Sequence, residues 1–384
     1  MSLEETATRG IAAIEGGRFD EAVVAFRDAL AIAPDRPDLN HALGMAHLHR
    51  GEVGEAVVYF EKAVRLSEPF DAPEHEALKQ DFYLTLATAY QLLNRIPDAA
   101  ATLSKATEIW PEWIQPRLQL SQVYLSSCRV DEGRETLRGL LPSMGEAHRP
   151  AAEALLGALE AYDASGEGAD VFLRAHAESY RDYFDEVVEE QRGEGYLAEA
   201  ARMVRGADGE PVAAVAEGAR PYALARVDLV HAETQEVAAI YTEEEPMIVE
   251  VNGLGPLAQT PVPLRWETEH GFEVWVSTRC PWHWLPIAVQ FATETDPKAR
   301  IEAVDAVIGP WYLAGYNGDF GEATSGRFHY VTDPEPLGRF GVGYHVDLGR
   351  ARFDAVVELL AKLATLGRTN PIRRVLFGEG RLPE

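Results

Sequence analysis

Small and aromatic residues recur 34 positions apart in the first part of this chain. Within each unit, small residues at positions 8, 20 and 27 let two helices approach closely, and a large residue at position 24 fills the space between them. One such unit cannot bury its apolar face alone, so successive units stack into a continuous core. The period therefore predicts a solenoid of paired helices. The matching residues of the first two units are Gly10 and Gly44, Ala22 and Ala56, Phe26 and Phe60, and Ala29 and Ala63.

The same frame fits two further units, which follow an insertion at about residues 71–79. The third unit begins at Gln80 and the fourth at Ile114, and the fourth departs from the pattern after Leu137. Agreement of four units in one register argues against a chance series of amphipathic helices. The residues that keep the pattern are Leu86, Ala87, Tyr90, Ala99, Leu103 and Ala106 in the third unit, and Leu120, Ser121, Tyr124 and Gly133 in the fourth.

Through these positions, residues 3–147 resemble the tetratricopeptide-repeat (TPR) family. The resemblance implies an all-α solenoid in which the first helix of each repeat lines a concave groove. It also implies that the partner is a protein or peptide lying in that groove. The sequence has no phosphate loop or dinucleotide-binding fingerprint, so no cofactor is expected. The groove positions are Ala7, Ile11 and Ile14 in the first unit, Asp38, His41, Met45 and His49 in the second, Asp81, Leu84, Thr88 and Gln91 in the third, and Gln115, Leu118 and Gln122 in the fourth.

The groove differs from that of TPR proteins that bind a C-terminal carboxylate with Lys, Asn and Arg. Ala7 and Ile11 stand at the Lys and Asn positions of the first unit. Asp81 and Thr85 stand at the cationic positions of the third. The groove is instead partly apolar and partly amide or acid. This composition favours an amphipathic helix or an extended segment that carries basic residues and docks through apolar anchors.

The end of the array needs a cap, because its last repeat would otherwise leave an apolar face bare. Apolar residues at helical spacing predict one helix at 150–163 and another at 169–191. Residues 206–211 have the composition of a turn and linker, and the apolar period changes from 3.6 to 2 after about residue 220. The predicted domains are a repeat array at 1–147, capping and connecting helices at 148–205, and an α+β domain at 220–384.

The C-terminal domain has a strand–strand–helix order that occurs twice. The first of its helices starts at Asp296 and Pro297, which are typical N-cap and first-turn residues. This order favours a mostly antiparallel sheet with helices on one face. Strands are predicted at 223–231, 236–241, 246–252, 262–268, 272–279, 287–294, 327–332, 341–348 and 372–377, turns at 280–281 and 333–340, and the second helix at 352–366.

Cys280 and His283, three residues apart at a predicted turn, are weak candidates for catalytic residues. They have the residue types of a nucleophile and its base, or of half a metal site. A metal site needs about four ligands, and His270 and His345 complete it only if the fold brings them close. The groove histidines beside Met45 are better explained as exposed groove lining. A structural turn is therefore favoured at Cys280, and no metal is expected.

Five of the seven tryptophans lie within a short stretch of the C-terminal domain. The simpler interpretation is a core filled with large side chains. The alternative is an aromatic ligand pocket or a second peptide groove. The residues proposed for such a pocket are Trp275, Trp282, Trp284, Trp311 and Tyr316, and the fifth tryptophan is Trp266.

The chain is strongly acidic, with a formal net charge of −27. Such a surface repels phosphate backbones, so nucleic acid is not expected as a partner. No apolar stretch is long enough to span a bilayer, so no membrane insertion is expected. The N-terminus lacks the features of a signal peptide, and the two cysteines suggest no disulfide framework, so a cytoplasmic location is expected. The excess of Arg over Lys is typical of GC-rich bacterial genomes.

Three functions are compatible with these features. The leading hypothesis is an adaptor, or scaffold, whose TPR groove captures a peptide segment while the α+β domain binds a second partner or ligand. The alternative is an enzyme that modifies a peptide or protein recruited by the repeats, with Cys280 and His283 at its catalytic site. The third is a small-molecule sensor with the tryptophan cluster as its pocket.

Overall fold

The computed structural model divides the chain into two compact units. The first contains residues 2–124 and 131–146, and the second contains residues 125–130 and the described residues of 148–382. In the part of the chain that is described, no helix is both long and apolar enough to cross a membrane. The described residues are 2–69, 75–146, 148–191, 196–199, 203–205, 211–213, 225–231, 237–243, 261–320, 328 and 330–382.

Eight helices form the four repeats, two helices to each repeat. Three of the first helices begin at Leu3, Pro37 and Ile114, which are the first positions of their units in the sequence frame. The predicted all-α TPR solenoid is therefore confirmed. Its helices are α1 (Leu3–Glu15), α2 (Phe19–Ile32), α3 (Pro37–His49), α4 (Val53–Ser67), α5 (Glu76–Leu92), α6 (Ile96–Ile109), α7 (Ile114–Leu125) and α8 (Val130–Leu140).

The third repeat differs from the others at its start. Helix α5 has 17 residues, whereas α1 and α3 have 13 each. The repeat frame begins at Gln80, so the residues from Glu76 onward form an additional first turn of α5. The insertion predicted at 71–79 thus ends within a helix, and its residues 71–74 lie outside the described residues.

Close helix packing explains the small and large residues of the repeat. A Cβ atom on Gly10 would lie 2.6 Å from the ring of Phe26, and one on Gly44 would lie 2.6 Å from the ring of Phe60. Both rings are buried. The glycine at position 8 of the repeat therefore lets the phenylalanine at position 24, in the second helix, reach the backbone of the first helix, as the sequence predicted.

The turn between the two helices of each repeat contains one residue with a left-handed backbone. Glycine favours this conformation and asparagine tolerates it, whereas other residues adopt it at a cost. Three of the four positions hold glycine or asparagine, and the fourth holds cysteine. The residues are Gly17 (φ 69°), Gly51 (φ 78°), Asn94 (φ 55°) and Cys128 (φ 58°).

The second unit contains α-helices and β-strands, as predicted. The first predicted C-terminal helix has Asp296 as its N-cap, and the Asp296 side chain accepts hydrogen bonds from the N–H groups of Lys298 and Ala299. The predicted strand at 246–252 and residues 206–210 of the predicted linker lie outside the described residues. The helices of this unit are α9 (Arg149–Ser165), α10 (Asp170–Gln191), α11 (Pro297–Tyr316) and α12 (Asp354–Gly367).

The main sheet has seven strands in the order β10-β11-β8-β12-β7-β6, with β9 also paired to β11. All its pairs are antiparallel except β7 with β12, so the prediction of an α+β region with a mostly antiparallel sheet is confirmed. Separate pairings join β1, β4 and β5, and β2 with β3. The strands are β1 (Tyr196–Glu199), β2 (Met203–Arg205), β3 (Pro211–Ala213), β4 (Ala225–His231), β5 (Val237–Glu243), β6 (Pro263–Trp266), β7 (Glu273–Ser277), β8 (Leu285–Phe291), β9 (Tyr330–Val331), β10 (Glu335–Leu337), β11 (Gly341–Asp347) and β12 (Ile372–Phe377).

The two faces of the main sheet have different coverings. Helix α11 contacts β11 and α12 contacts β12, and the Tyr344 hydroxyl of β11 donates a hydrogen bond to Asp305 of α11 at 2.7 Å. Trp275 and Leu376 alternate with the residues that face these helices, so they lie on the opposite face. There they pack with Cys128 and Leu382. Both faces of the sheet are therefore at least partly covered within this unit.

Candidate functional site

A cavity of about 420 Å³ lies between α1 and α3, the first helices of the first two repeats. Its apolar part comes from both helices and from the Phe26 ring of α2. Ile11, a predicted groove residue, lines this cavity and is 53% exposed. We call this space the α1–α3 cavity. Its lining residues are Leu3, Glu4, Ala7, Thr8, Ile11, Phe26, Arg36, Asp38, Leu39 and Ala42.

The polar side of the α1–α3 cavity contains an ion pair. The Arg36 guanidinium donates hydrogen bonds to both carboxylate oxygens of Asp38, with N–O distances of 2.8 and 2.5 Å. Burial alone would raise the pKa of Asp38, but the hydrogen bonds and the charge of Arg36 outweigh it, and the pKa is lowered. The two charges largely cancel, so the remaining formal charge of the lining is that of Glu4.

His41, another predicted groove residue, connects α3 with α5. Its ring lies 4.7 Å from the ring of Phe82 and 5.3 Å from that of Phe60, measured between centroids. Its Nε2 atom is 3.6 Å from a carboxylate oxygen of Asp81. Burial lowers the pKa of His41, although Asp81 opposes this shift, so His41 is neutral at pH 7. Asp81 itself is exposed and adds a negative charge to the groove.

The predicted groove residues of the third and fourth repeats are mostly neutral and polar. The Gln119 amide donates a hydrogen bond to the Thr88 hydroxyl at 3.1 Å, which connects α5 with α7. Gln115 and Gln122 are exposed. Amide side chains both donate and accept hydrogen bonds, so they match the backbone of an extended polypeptide. The apolar predicted residues here, Leu84 and Leu118, are half-buried.

Two further groove candidates, the half-buried Met45 and the exposed His49, pack against neighbouring side chains. Met45 packs against the core that joins α4, α5 and α6. The His49 ring stacks on Phe19 with centroids 4.8 Å apart. Glu4, which is not among the predicted groove residues, lines the α1–α3 cavity and occupies the second position of its repeat, as Asp38 and Asp81 do in theirs. The repeat frame could therefore have identified it.

Cys280 and His283 are both buried in the second unit. Burial, and secondarily the charge of Glu379, raises the pKa of the Cys280 thiol well above its usual value, so the reactive thiolate is disfavoured. Burial lowers the pKa of His283, whose ring stacks on Tyr180 at 5.7 Å. These surroundings are those of a packed turn, where a substrate has no access to the sulfur.

The five aromatic residues proposed for a ligand pocket do not share one environment. Trp282 and Trp311 are fully buried, and the Trp311 indole donates a hydrogen bond to the Ala355 carbonyl at 2.9 Å. Trp275 is half-buried and donates a hydrogen bond to Glu273 at 3.3 Å. Trp284 and Tyr316 are 42% and 44% exposed. Only these last two offer substantial free surface, so the five do not line one common pocket.

The histidines considered as further metal ligands each stack on an aromatic ring. His270 lies 6.0 Å from Phe272, and His345 lies 5.0 Å from Trp284, measured between ring centroids. Within the described ranges, no group of three or more His, Cys, Asp or Glu residues is arranged to hold a metal ion.

Comparisons with known proteins concern the N-terminal helices. The family model described as tetratricopeptide repeat matches residues 13–82. Among solved structures, a putative kinesin light chain of Podosopora anserina with nearly identical TPR-like repeats is 22% identical, over 43% of this chain and 87% of its own, with a TM-score of 0.34. MamA is 17% identical, over 37% of this chain and 78% of its own, with a TM-score of 0.32. YrrB, described as a TPR protein with an unusual peptide-binding site, is 18% identical, over 41% of this chain and 76% of its own, with a TM-score of 0.33. No protein of curated function matches the chain.

Proposed function

We propose, from the tetratricopeptide-repeat array of residues 3–147, that this protein is an interaction adaptor that holds a polypeptide segment of a partner in its groove. The observation that supports this proposal most directly is the α1–α3 cavity. It combines an exposed apolar side chain, Ile11, with a bordering acid, Glu4. A cavity of this kind suits a single apolar side chain of a partner rather than a large flat surface.

The segment that fits this groove has an apolar anchor and neighbouring basic residues. Burying a side chain of the size of leucine contributes about 1.5–3 kcal/mol, which is enough to anchor a short segment when other contacts assist. Glu4 and Asp81 attract Lys or Arg beside the anchor. Gln115 and Gln122 supply hydrogen bonds to the backbone of the segment, independent of its sequence.

We further propose that the second unit binds a second partner or ligand, with the exposed part of Trp284, whose ring stacks on His345 and Tyr330, as one contact. The alternative of an enzyme receives no comparable support. Its candidate nucleophile, Cys280, is buried and protonated. We therefore retain the adaptor as the single proposed function.

The groove can be tested with two matched substitutions in the full-length chain. Ile11→Lys places a cation in the α1–α3 cavity, and Val24→Lys places one on α2, outside the cavity. The two residues are similarly exposed, at 53% and 56%. The partner is first captured from lysate with the unmodified chain and identified, and its affinity for each variant is then measured.

We expect Ile11→Lys to weaken binding roughly tenfold or more, because an apolar contact is lost and basic residues are repelled. Val24→Lys should leave the affinity within about twofold of the original. An affinity that Ile11→Lys leaves unchanged would contradict the groove as the binding site, and equal losses in both variants would instead show a general effect of added charge and would also contradict it.

A further inference from the structure

A large apolar side chain that is not among the predicted groove residues stands at the C-terminal end of α5. Leu92 is 54% exposed, close to the 53% of Ile11. It occupies position 13 of its repeat, the same position as the predicted groove residue His49 in α3. It also follows the exposed Thr88 by four residues, so these two side chains lie on one face of α5. Leu92 therefore belongs to the same predicted groove face.

Three apolar groove residues, one from each of the first three repeats, lie on helices that pack side by side. Ile11 and Met45 occupy position 9 of their repeats in α1 and α3, and Leu92 lies about one helical turn further along α5. Helix α3 contacts both α1 and α5. Met45 is half-buried, whereas Ile11 and Leu92 are exposed. The three residues thus form an apolar line that crosses the helix axes, which we call the groove line.

Acidic side chains lie on both sides of the groove line. Glu4 and Asp81 are near the N-terminal ends of α1 and α5, at position 2 of their repeats. Glu15, at position 13 of the first repeat, lies about one turn beyond Ile11. All three acids are exposed. A segment that follows the line therefore meets acids beside its apolar contacts, which favours Lys or Arg between those contacts.

The spacing of the groove line limits the backbone conformation of a segment that contacts all three of its residues. The axes of packed helices are about 8–10 Å apart, so neighbouring contacts along the line are separated by roughly that distance or slightly more. In a β-strand, side chains on one face recur at about 7 Å, which is too short. A polyproline II helix repeats every three residues, at about 9 Å. An α-helix repeats every seven residues, at about 10.5 Å, so spacing alone leaves these two conformations.

The polar residues of the groove distinguish polyproline II from an α-helix. An α-helix satisfies its backbone groups internally, whereas a polyproline II backbone makes no internal hydrogen bonds. Beyond Leu92, the fourth repeat presents Gln115 and Gln122, which are exposed. The Gln119 amide reaches the Thr88 hydroxyl of α5 at 3.1 Å, so amides of α7 extend to the edge of α5. Amides that donate and accept hydrogen bonds suit an open backbone, so the groove favours polyproline II.

We propose that the groove binds a polyproline II segment of the partner in which an apolar residue stands at every third position, with basic residues in between. The three apolar residues contact Ile11, Met45 and Leu92, one in each of the first three repeats. This proposal rests on the proposed function, because it takes the occupant to be the partner segment. It adds the conformation of that segment, the spacing of its anchors and Leu92 as a residue that determines specificity.

Synthetic peptides with an N-terminal fluorescein test the spacing by fluorescence anisotropy with the full-length chain. The first peptide repeats Leu-Lys-Pro three times, and the second, Leu-Lys-Leu-Pro-Leu-Lys-Pro-Lys-Pro, has the same composition with leucine at every second position. The third is an alanine-rich helical peptide with three lysines and with three leucines spaced seven residues apart. We expect the first peptide to bind with a dissociation constant of roughly 10–500 μM, at least about fivefold tighter than the other two.

Two matched truncations test the position of the last anchor. Leu92→Ala should weaken binding of the first peptide about threefold to fivefold, because one apolar contact is lost. Val58→Ala, in the second helix α4 and 58% exposed, should leave the affinity within about 1.5-fold. Replacing the terminal leucine that contacts Leu92 by alanine should cost little further affinity in Leu92→Ala, since that contact is already absent. A peptide order without preference for the three-residue spacing, tighter binding of the helical peptide, or an unchanged affinity in Leu92→Ala would overturn the proposal.

These results are distinguishable from a failure of the proposed function. If Ile11→Lys weakens binding of the captured partner but the peptides show no preference for the three-residue spacing, the adaptor stands and the polyproline II proposal fails. If Ile11→Lys leaves the partner's affinity unchanged, the proposed function fails, and the polyproline II proposal fails with it.

Discussion

At the scale of single residues, one backbone torsion recurs at the same point of each repeat. Gly17, Gly51, Asn94 and Cys128 all have positive φ in the turn between the two repeat helices. A Cβ atom in this conformation approaches the backbone, which costs roughly 1–2 kcal/mol for most residues. The third repeat has asparagine at this point, which tolerates the left-handed conformation. The fourth has Cys128, whose side chain packs in the second unit. The repeat pattern predicted a turn here but not which residues would be left-handed.

Two glycines three residues apart allow the torsion to be tested apart from packing. An added Cβ meets nothing within 4 Å at either Gly51 or Gly54, but Gly51 has a φ of 78° and Gly54 lies in α4. Gly51→Ala should lower the free energy of unfolding by about 1 kcal/mol. Gly54→Ala should raise it by up to about 0.5 kcal/mol, because alanine favours a helix. Chemical denaturation measures both. Losses of the same size would contradict the role of φ.

Two histidines in the second unit are buried close to one another. Burial, and then the charge of His283, lowers the pKa of His176 to about 4, while a hydrogen bond to the Thr278 carbonyl acts in the opposite direction. Tyr180, which lies in α10 together with His176, stacks on the ring of His283. Both rings are therefore neutral at pH 7, and the folded state disfavours their protonation.

The stability of the protein should consequently fall as acid protonates these rings. The pKa of His176 in the folded state is below the ordinary histidine value of about 6.5. Its contribution to the free energy of unfolding is therefore complete above pH 6.5 and is lost between about pH 6.5 and 4. The loss should amount to about 3 kcal/mol. Melting temperatures of the full chain and of His176→Gln, taken across this range, should show a smaller fall for the variant. The exposed His148, replaced by Gln, is the control and should leave the original pH dependence.

At the scale of helices and strands, the sequence predicted the elements more reliably than their pairing. The starts of α1, α3 and α7 follow from the repeat frame, because close packing of small residues on aromatic rings fixes that frame. The parallel pairing of β7 with β12 could not be predicted from the sequence, since these strands are about a hundred residues apart and their partners depend on the whole sheet. The short strand β10 lies within a predicted turn, because its pairing with β11 forms a tight hairpin at Leu337 and Gly341.

At the candidate site too, the sequence predicted some of the residues and did not predict others. The repeat frame predicted Ile11 and Asp38 as groove residues, and both line the α1–α3 cavity. It did not predict a second, smaller cavity that Leu78 and Lys79 line, because that cavity depends on an insertion outside the frame and on three helix ends that lie close together. It also predicted Met45 as a groove residue, and the partly buried Met45 side chain packs against the core that joins α4, α5 and α6.

The contact between α3 and α4 allows a test of helix pairing. Gly44→Ala adds a methyl group 2.6 Å from the buried Phe60 ring, so it should destabilise the protein by about 1–3 kcal/mol although alanine favours a helix. Phe60→Leu alone should also destabilise it, by loss of buried apolar surface. The double variant should be more stable than the sum of the two changes predicts, since the smaller leucine leaves room for the methyl group. Strict additivity in denaturation experiments would contradict direct contact.

At the scale of the whole molecule, charge is the dominant property. A formal net charge of −27 attracts basic segments over a distance of about one Debye length, roughly 10 Å at 0.1 M salt. This attraction acts mainly during approach, before the apolar anchors are in place. It therefore affects how fast a partner arrives more than how long the partner stays.

Salt should accordingly slow partner binding with little effect on release. Raising NaCl from about 0.05 to 0.5 M should lower the association rate constant roughly tenfold, whereas the dissociation rate constant should change by about twofold or less. Surface plasmon resonance with the identified partner measures both constants. A salt effect confined to dissociation would mean that charge acts within the bound complex, which is contrary to the proposed division between charge and anchors.

The Arg36–Asp38 pair lines the α1–α3 cavity, and this has a consequence for what the cavity rejects. Each charge already has its counter-ion, held through two hydrogen bonds. A charged side chain gains little by entering here, because it would have to separate the pair and leave one member without its counter-ion. The pair therefore discriminates against charged side chains inside the cavity, while the apolar lining favours apolar ones.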